Sequence, residues 1–274
     1  MDEFLASHAA TSMFLRSNLA AYGTDETSHP HGTSFFLSED SVGVSGVFGL
    51  TNGGYLMAQA PAAQQAEWAG FAQAISGRTV RGMTGVPAQV QACLAACGLA
   101  QGPFQLLADE PLYHLNIADL VDHPADIRTP HAGDVTMLEQ WFTAYETDTG
   151  MAPPTDAPTD SACARAAAAI GAAHIVILED AGQPVAMAAI NAHVADIVQI
   201  GGVFTPDGLR GRGYARRAVA GLLRRAAIQD GAAQSVLFAN NTAAAHAYEA
   251  LGYQRVGDYR VALLAAPTEI GDHT

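Results

Sequence analysis

The sequence predicts an α/β chain made of two successive units of one kind. Three observations lead there. The chain has 274 residues, with 49% hydrophobic, 15% charged, 27 Gly and 13 Pro, enough apolar material for a packed core and the wrong composition for disorder. Short strand-like apolar runs alternate with helix-length segments, the signature of mixed α/β architecture. Both halves follow the order helix, three strands, helix, strand, helix, strands. Placing Gly98 over Gly252 makes the parallel concrete, because 95–99 then lies over 249–253.

Along the first half, 3–22 reads as an amphipathic helix closed by Gly23 and the polar turn around His29-Pro30-His31-Gly32. Strand patterning follows at 34–37, 42–50 and 55–58, then a helix at 64–75 and a strand at 79–83. A helix at 88–97 stops at Gly98, and extended runs at 104–107 and 112–117 close the half. Pro124 and Pro130 mark 119–131 as a linker, so the expected domains are 1–120 and 125–266. In the second half, helices are expected at 133–145 and 161–173, separated by the Pro-rich segment 151–158. Strands follow at 175–178, 185–192 and 197–204. A strong helix at 214–228 comes next, then a strand at 235–239, a helix at 242–251 and extended chain at 254–264.

Charge excludes some partners. Lysine is absent, all 13 basic residues are Arg, and the formal net charge is −14. Such a field opposes nonspecific nucleic-acid binding. No run approaches the 18 apolar residues of a membrane span, and Met1-Asp2-Glu3 lacks the basic start of a secretory signal. Three cysteines without that signal read as a reducing cytoplasm rather than a disulfide framework. Cys93 and Cys97 stand at i, i+4, but no further Cys or His spacing completes a metal site, so they are expected to pack and no metal is expected.

Six of the arginines (210, 212, 216, 217, 224 and 225) fall within 16 positions that contain no acid, leaving 7 Arg against 27 acids elsewhere. The same stretch is where a strand, 197–204, runs through Gly211 and Gly213 into the helix whose buried face is Ala215, Val219, Leu222 and Ala226. A helix start carries unpaired N–H groups and positive dipole, and cations there cost about 0.3–1 kcal/mol each unless an anion compensates. A phosphate ligand is therefore expected at this turn. A Walker loop needs a Lys, and the dinucleotide fingerprint needs a third Gly or Ala where Arg216 stands.

Arg210, Gly213 and Ala215 instead match Gln/Arg-x-x-Gly-x-Gly/Ala. Downstream, Asn241, Ala244, Tyr248, Leu251, Gly252 and Tyr253 match Asn-x-x-Ala-x-x-x-Tyr-x-x-Leu-Gly-Phe/Tyr. In both motifs the chain resembles the GNAT superfamily of acetyl-coenzyme A-dependent acyltransferases, specifically over 203–253 and in element order over 126–264. The resemblance implies two units, each a mixed, mainly antiparallel sheet flanked by helices. It also implies acetyl-CoA as cosubstrate, contacted by Val203, Phe204, Thr205, Arg210, Gly211, Arg212, Gly213, Tyr214, Ala215, Asn241 and Tyr248. The acceptor implied is an amine that attacks directly in a ternary complex, with the oxyanion held by a backbone N–H near Val203 or Phe204.

Tyr248 is, by resemblance, the acid that protonates the departing thiolate. On its helix it also shares an apolar face with Ala244 and Leu251, so packing is the alternative. Asn241 reads equally as a ligand contact and as a helix N-cap. No base stands out among Asp196, Gln199, Glu179, His193 and Asp258. In the first half Leu94 stands where Tyr248 would, and 59–64 lacks the Arg and glycines of the loop. That half is thus expected to be a degenerate copy that supports structure or shapes the acceptor site. A homodimer is kept among the expected assemblies, and the competing function is a noncatalytic acyl-CoA sensor or partner-binding protein.

Overall fold

The computed structural model describes residues 1–121 and 123–271; residue 122 of the expected linker lies outside them. The chain divides into two units, Met1–Glu110 with Asp258–Thr274, and Pro111–Gly257. The expected division differs from this at both ends, because each half sends its last strand into the other unit's sheet. Strand β5 (Phe104–Asn116) pairs antiparallel through Leu112–Asn116 with β10 (Gln234–Phe238). Strand β11 (Gln254–Glu269) pairs antiparallel with β4 (Thr79–Gly85) from Arg260 onward.

The first unit opens with α1 (Asp2–Ser7) and α2 (Met13–Tyr22), where one helix was expected. The turn between them is tied down by the Thr11 hydroxyl, which donates to Gln59 Oε1 at 2.7 Å. Strands β1 (Thr33–Glu39), β2 (Val44–Thr51) and β3 (Tyr55–Gln59) follow, then α3 (Gln65–Ala74), β4 and α4 (Pro87–Ala96). The unit's strands run in the order β1-β2-β3-β4-β11, with β3 and β4 parallel. Trp68, Phe71, Val90, Cys93, Leu94 and Cys97 pack into its core.

In the second unit, β6 (Asp126–Arg128) lies inside the expected linker and pairs with β7 (Ile175–Asp180). Helices α5 (Val135–Asp148) and α6 (Asp160–Ala169) precede β7, β8 (Gln183–Val194) and β9 (Ile197–Phe204). Helix α7 (Tyr214–Asp230), β10 and α8 (Thr242–Glu249) complete it, with strand order β5-β10-β9-β8-β7-β6. Without its extra edge strand β6 this is the first unit's order over again. The Gly98–Gly252 correspondence holds in detail: Leu99 N–H donates to Leu94 C=O at 2.7 Å, and Tyr253 N–H to Tyr248 C=O at 3.2 Å.

One sheet face of the second unit packs on α7, burying Val219, Leu222 and Leu223 completely or nearly so. Each such side chain contributes about 1.5–3 kcal/mol of apolar burial. Another cluster joins α5 and α6 to β7, β8 and β9 through Phe142, Ala166, Ile177, Met187 and Phe204. Among the described residues, no helix is long and apolar enough to cross a membrane.

An ion-pair network fixes the entrance to α5. Arg128 donates to Asp134 from both terminal nitrogens, at 2.6 and 2.8 Å, and to Glu179 at 2.5 Å. The Arg128 hydrogen bonds hold the Asp134 carboxyl below its ordinary value. A depressed carboxylate adds stability above its unfolded pKa, and that stability is lost as pH falls through the folded one. Lowering pH below about 4 should therefore cut the urea midpoint of wild type. Asp134→Asn should cost about 1.5–3 kcal/mol at neutral pH and flatten that acid limb; an unchanged limb would remove Asp134 as its source.

Candidate active site

Strand β9 is parallel to β10 only through Ile197–Gln234, Val198–Ser235 and Gln199–Val236. Beyond these pairs β9 continues to Phe204 with its β8 edge paired and, among the described residues, no strand partner on its β10 edge. Ala189 faces Gly201 while Met187 faces Phe204, so β9 carries one extra residue there. That bulge holds Gly202 at φ +57° and turns the strand's end away from its neighbour. The result is a gap between two parallel strands whose polar backbone edge is open.

From Phe204 the chain passes through a short helical turn, Asp207–Leu209, to the start of α7. Gly211 and Gly213 adopt φ +76° and +79°, a region that costs an L-residue about 1–2 kcal/mol. Among the described residues, the N–H groups of 211–216 have no acceptor, and pairing resumes with Arg217 N–H on Gly213 C=O at 3.2 Å. The loop thus presents a run of unpaired donors at the positive end of a 17-residue helix. The corresponding helix start in the first unit is closed, since the Glu67 carboxylate accepts from Gln64 N–H at 2.7 Å.

Of the four arginines around the loop, Arg210, Arg212, Arg216 and Arg217, two are paired with carboxylates. Arg217 donates to Asp180 at 3.0 Å, beside the Tyr214 hydroxyl on the same carboxylate at 2.8 Å. The hydrogen bonds from Arg217 and then Tyr214 hold Asp180 below the usual carboxylate range. Arg210 pairs with Asp148 and with Asp207, the latter at 2.9 Å. The expectation that no acid compensates these arginines therefore fails for Arg210 and Arg217. Among the described residues Arg212 and Arg216 form no ion pair with a carboxylate. Arg224 and Arg225 donate to backbone carbonyls, of His123 and of Ile175, at 2.9 and 3.1 Å.

Tyr248 is 6% exposed and packs in the α7 core, its ring centroid 6.0 Å from that of Tyr253. Asn241 acts as the N-cap of α8, accepting from Ala244 N–H at 2.9 Å. Val203 is half-buried, the Tyr214 and Phe204 side chains are buried, and the Thr205 hydroxyl is buried without a hydrogen-bond partner. For Phe204, Tyr214 and Ala215 the groups open to a ligand are thus on the backbone.

Of the base candidates, Glu179 is committed to Arg128 and exposed His193 bonds Ala195 C=O at 3.0 Å. Asp196 accepts from Gln234 at 3.3 Å, and Asp258 belongs to the other unit. Gln199 is 2% exposed, and its Oε1 has no partner. Among the described residues, no three His, Cys, Asp or Glu cluster as metal ligands do.

A cleft of about 760 Å3 opens beside the end of β9, between α5 and the Pro-rich loop. Trp141 and Phe204 form its apolar wall, with ring centroids 6.0 Å apart. Asp148, Asp156 and Asp207 are among the other residues that line it. Sequence reasoning missed these acids and Asp180; the Pro-rich spacing pointed to the loop but not to the cavity.

The acetyltransferase (GNAT) family model matches residues 135–253. Several solved structures share the fold over nearly the whole chain. A GCN5-related N-acetyltransferase from Kribbella flavida is 18% identical with a TM-score of 0.58, covering 95% of this chain and 96% of its own. A GNAT-family acetyltransferase from Colwellia psychrerythraea is 16% identical with a TM-score of 0.54, at 95% and 96% coverage. A GCN5-related N-acetyltransferase from Sphaerobacter thermophilus is 14% identical with a TM-score of 0.52, at 94% and 91%. No curated protein matches the chain. The motif residues, the open loop and the matching model agree, and residues 135–253 form an acetyltransferase domain of the GNAT family.

Proposed function

We propose that the second unit binds acetyl-CoA with its pyrophosphate on the 211–216 loop and its thioester arm in the gap between β9 and β10. The observation that carries this reading is the run of unpaired N–H donors placed directly after a strand whose edge is open. Arg212 and Arg216, which form no ion pair with a carboxylate among the described residues, add positive charge there. An amine held in the cleft attacks the acetyl carbon as the free base. The carbonyl π pair moves to oxygen, where a backbone N–H near Val203 or Phe204 stabilises it. Collapse of the adduct breaks the C–S bond, the thiolate takes a proton from Tyr248, and the proton lost by the nitrogen passes to solvent water, from which the Tyr248 phenolate is reprotonated. The first unit, with Leu94 for Tyr248 and a closed helix start, serves structure or shapes the acceptor site.

Calorimetric titration with acetyl-CoA is expected to show saturable one-site binding; no binding by folded protein would overturn the reading. Tyr248→Phe should then lower kcat about 100-fold, the lower end for a general acid, with acetyl-CoA affinity kept. Unchanged turnover would remove Tyr248 as the acid. A wild type that binds acetyl-CoA but acetylates no amine across a broad panel would favour the acyl-CoA sensor, a reading in which buried Tyr248 only packs.

A further inference from the structure

Arg210 matches the loop's phosphate-contact motif, yet its guanidinium is engaged elsewhere. Nε donates to Thr205 C=O at 3.0 Å, while one terminal nitrogen meets Asp148 at the end of α5 and Asp207 at 2.9 Å. The same guanidinium stands 5.9 Å from the centroid of Phe204, a wall of the cleft. Arg210 is thus paired with two carboxylates that line the cleft, while among the described residues Arg212 and Arg216 form no such ion pair.

We propose that Asp148 is a positioning residue that tunes anion binding at the loop by competing for Arg210. An anionic ligand there recruits Arg210 away from Asp148 and Asp207, so the cleft becomes more negative as the loop is filled. This rests on the reading that phosphates of coenzyme A occupy the loop. The exchange is cheap, because the Arg210 and Asp148 side chains are 48% and 41% exposed, and such pairs are worth little. It also couples the two sites without any change of fold: one cation serves either the cofactor's phosphates or the acids beside the acceptor.

Free coenzyme A, which cannot turn over, is the probe for calorimetric titration at low salt. Asp148→Asn should bind it about two- to fivefold more tightly, the range that releasing an exposed ion pair allows. Asp207→Asn, whose side chain is 86% exposed, should shift affinity the same way and serves if Asp148→Asn fails to fold. Arg210→Met should weaken binding, and Asp148→Asn should have no effect in that background. A gain that persists with Arg210→Met would reflect general charge repulsion and overturn the proposal, as would unchanged or weaker binding by both Asn variants. Those results all presuppose wild-type binding; its absence would instead strike the reading of the loop itself.

Discussion

Gly213→Glu is expected to weaken acetyl-CoA binding by more than about 100-fold, equivalent to about 2.7 kcal/mol. Two effects combine. Gly213 sits at φ +79°, so any side chain there adds about 1–2 kcal/mol of backbone strain. A Cβ at this position would stand 3.1 Å from a terminal nitrogen of Arg216. A carboxylate carried on it would therefore pair with Arg216 and compete for the donors proposed to hold phosphate. Gly213→Ala separates the terms, because it bears the strain without the charge and should lose about tenfold or less. Calorimetry on both variants, with circular dichroism as the control for folding, decides. Equal losses would mean that loop geometry, not competition for its charge, governs binding.

Features of this site were legible in proportion to how local they are. The turn into α7 is written in adjacent residues: an apolar strand, glycines with positive φ and an amphipathic helix. Strand β9 and the start of α7 fall where the pattern puts them. The Asn241 cap is equally local, and the spacing from Asn241 to Tyr253 marks one helix and its exit. The Gly98–Gly252 correspondence survives because it rests on two helix ends that bond their following residues alike.

What the sequence hid depends on distant partners. Counting acids near the arginines misses Asp148 and Asp180, which arrive from α5 and β7 and halve the loop's uncompensated charge. The strand exchange was hidden for the same reason. Runs 104–107 and 112–117 look like two local strands, yet they form one β5, and its pairing with β10 spans more than a hundred residues. Register between such segments is decided by packing, which a linear pattern does not encode. The cleft combines both cases, with a loop visible from its prolines and an apolar wall supplied by Trp141 and Phe204 from separate elements.

Glu146→Ala should destabilise the second unit by about 2–4 kcal/mol, because a buried charge network loses its centre. Glu146 is 4% exposed and accepts from the Thr159 and Ser161 hydroxyls at 2.8 and 2.7 Å. Arg165 stands 3.6 Å from the same carboxylate and lies over the Phe142 and Tyr145 rings at 4.4 and 5.1 Å. Thr159 also caps α6 through Ala162 N–H, so one carboxylate ties the end of α5 to the start of α6 across the Pro-rich loop. Arg165 is one-third exposed and can recover water, which keeps the expected loss below that of a fully buried pair. Glu146→Gln keeps the shape and one acceptor, and should cost about half as much. Urea unfolding measures both. On the proposed reading, in which the amine is held in the cleft that this loop walls, both variants should also raise KM for the amine more than KM for acetyl-CoA. Equal shifts in the two constants would mean that Glu146 supports the fold without shaping the acceptor site.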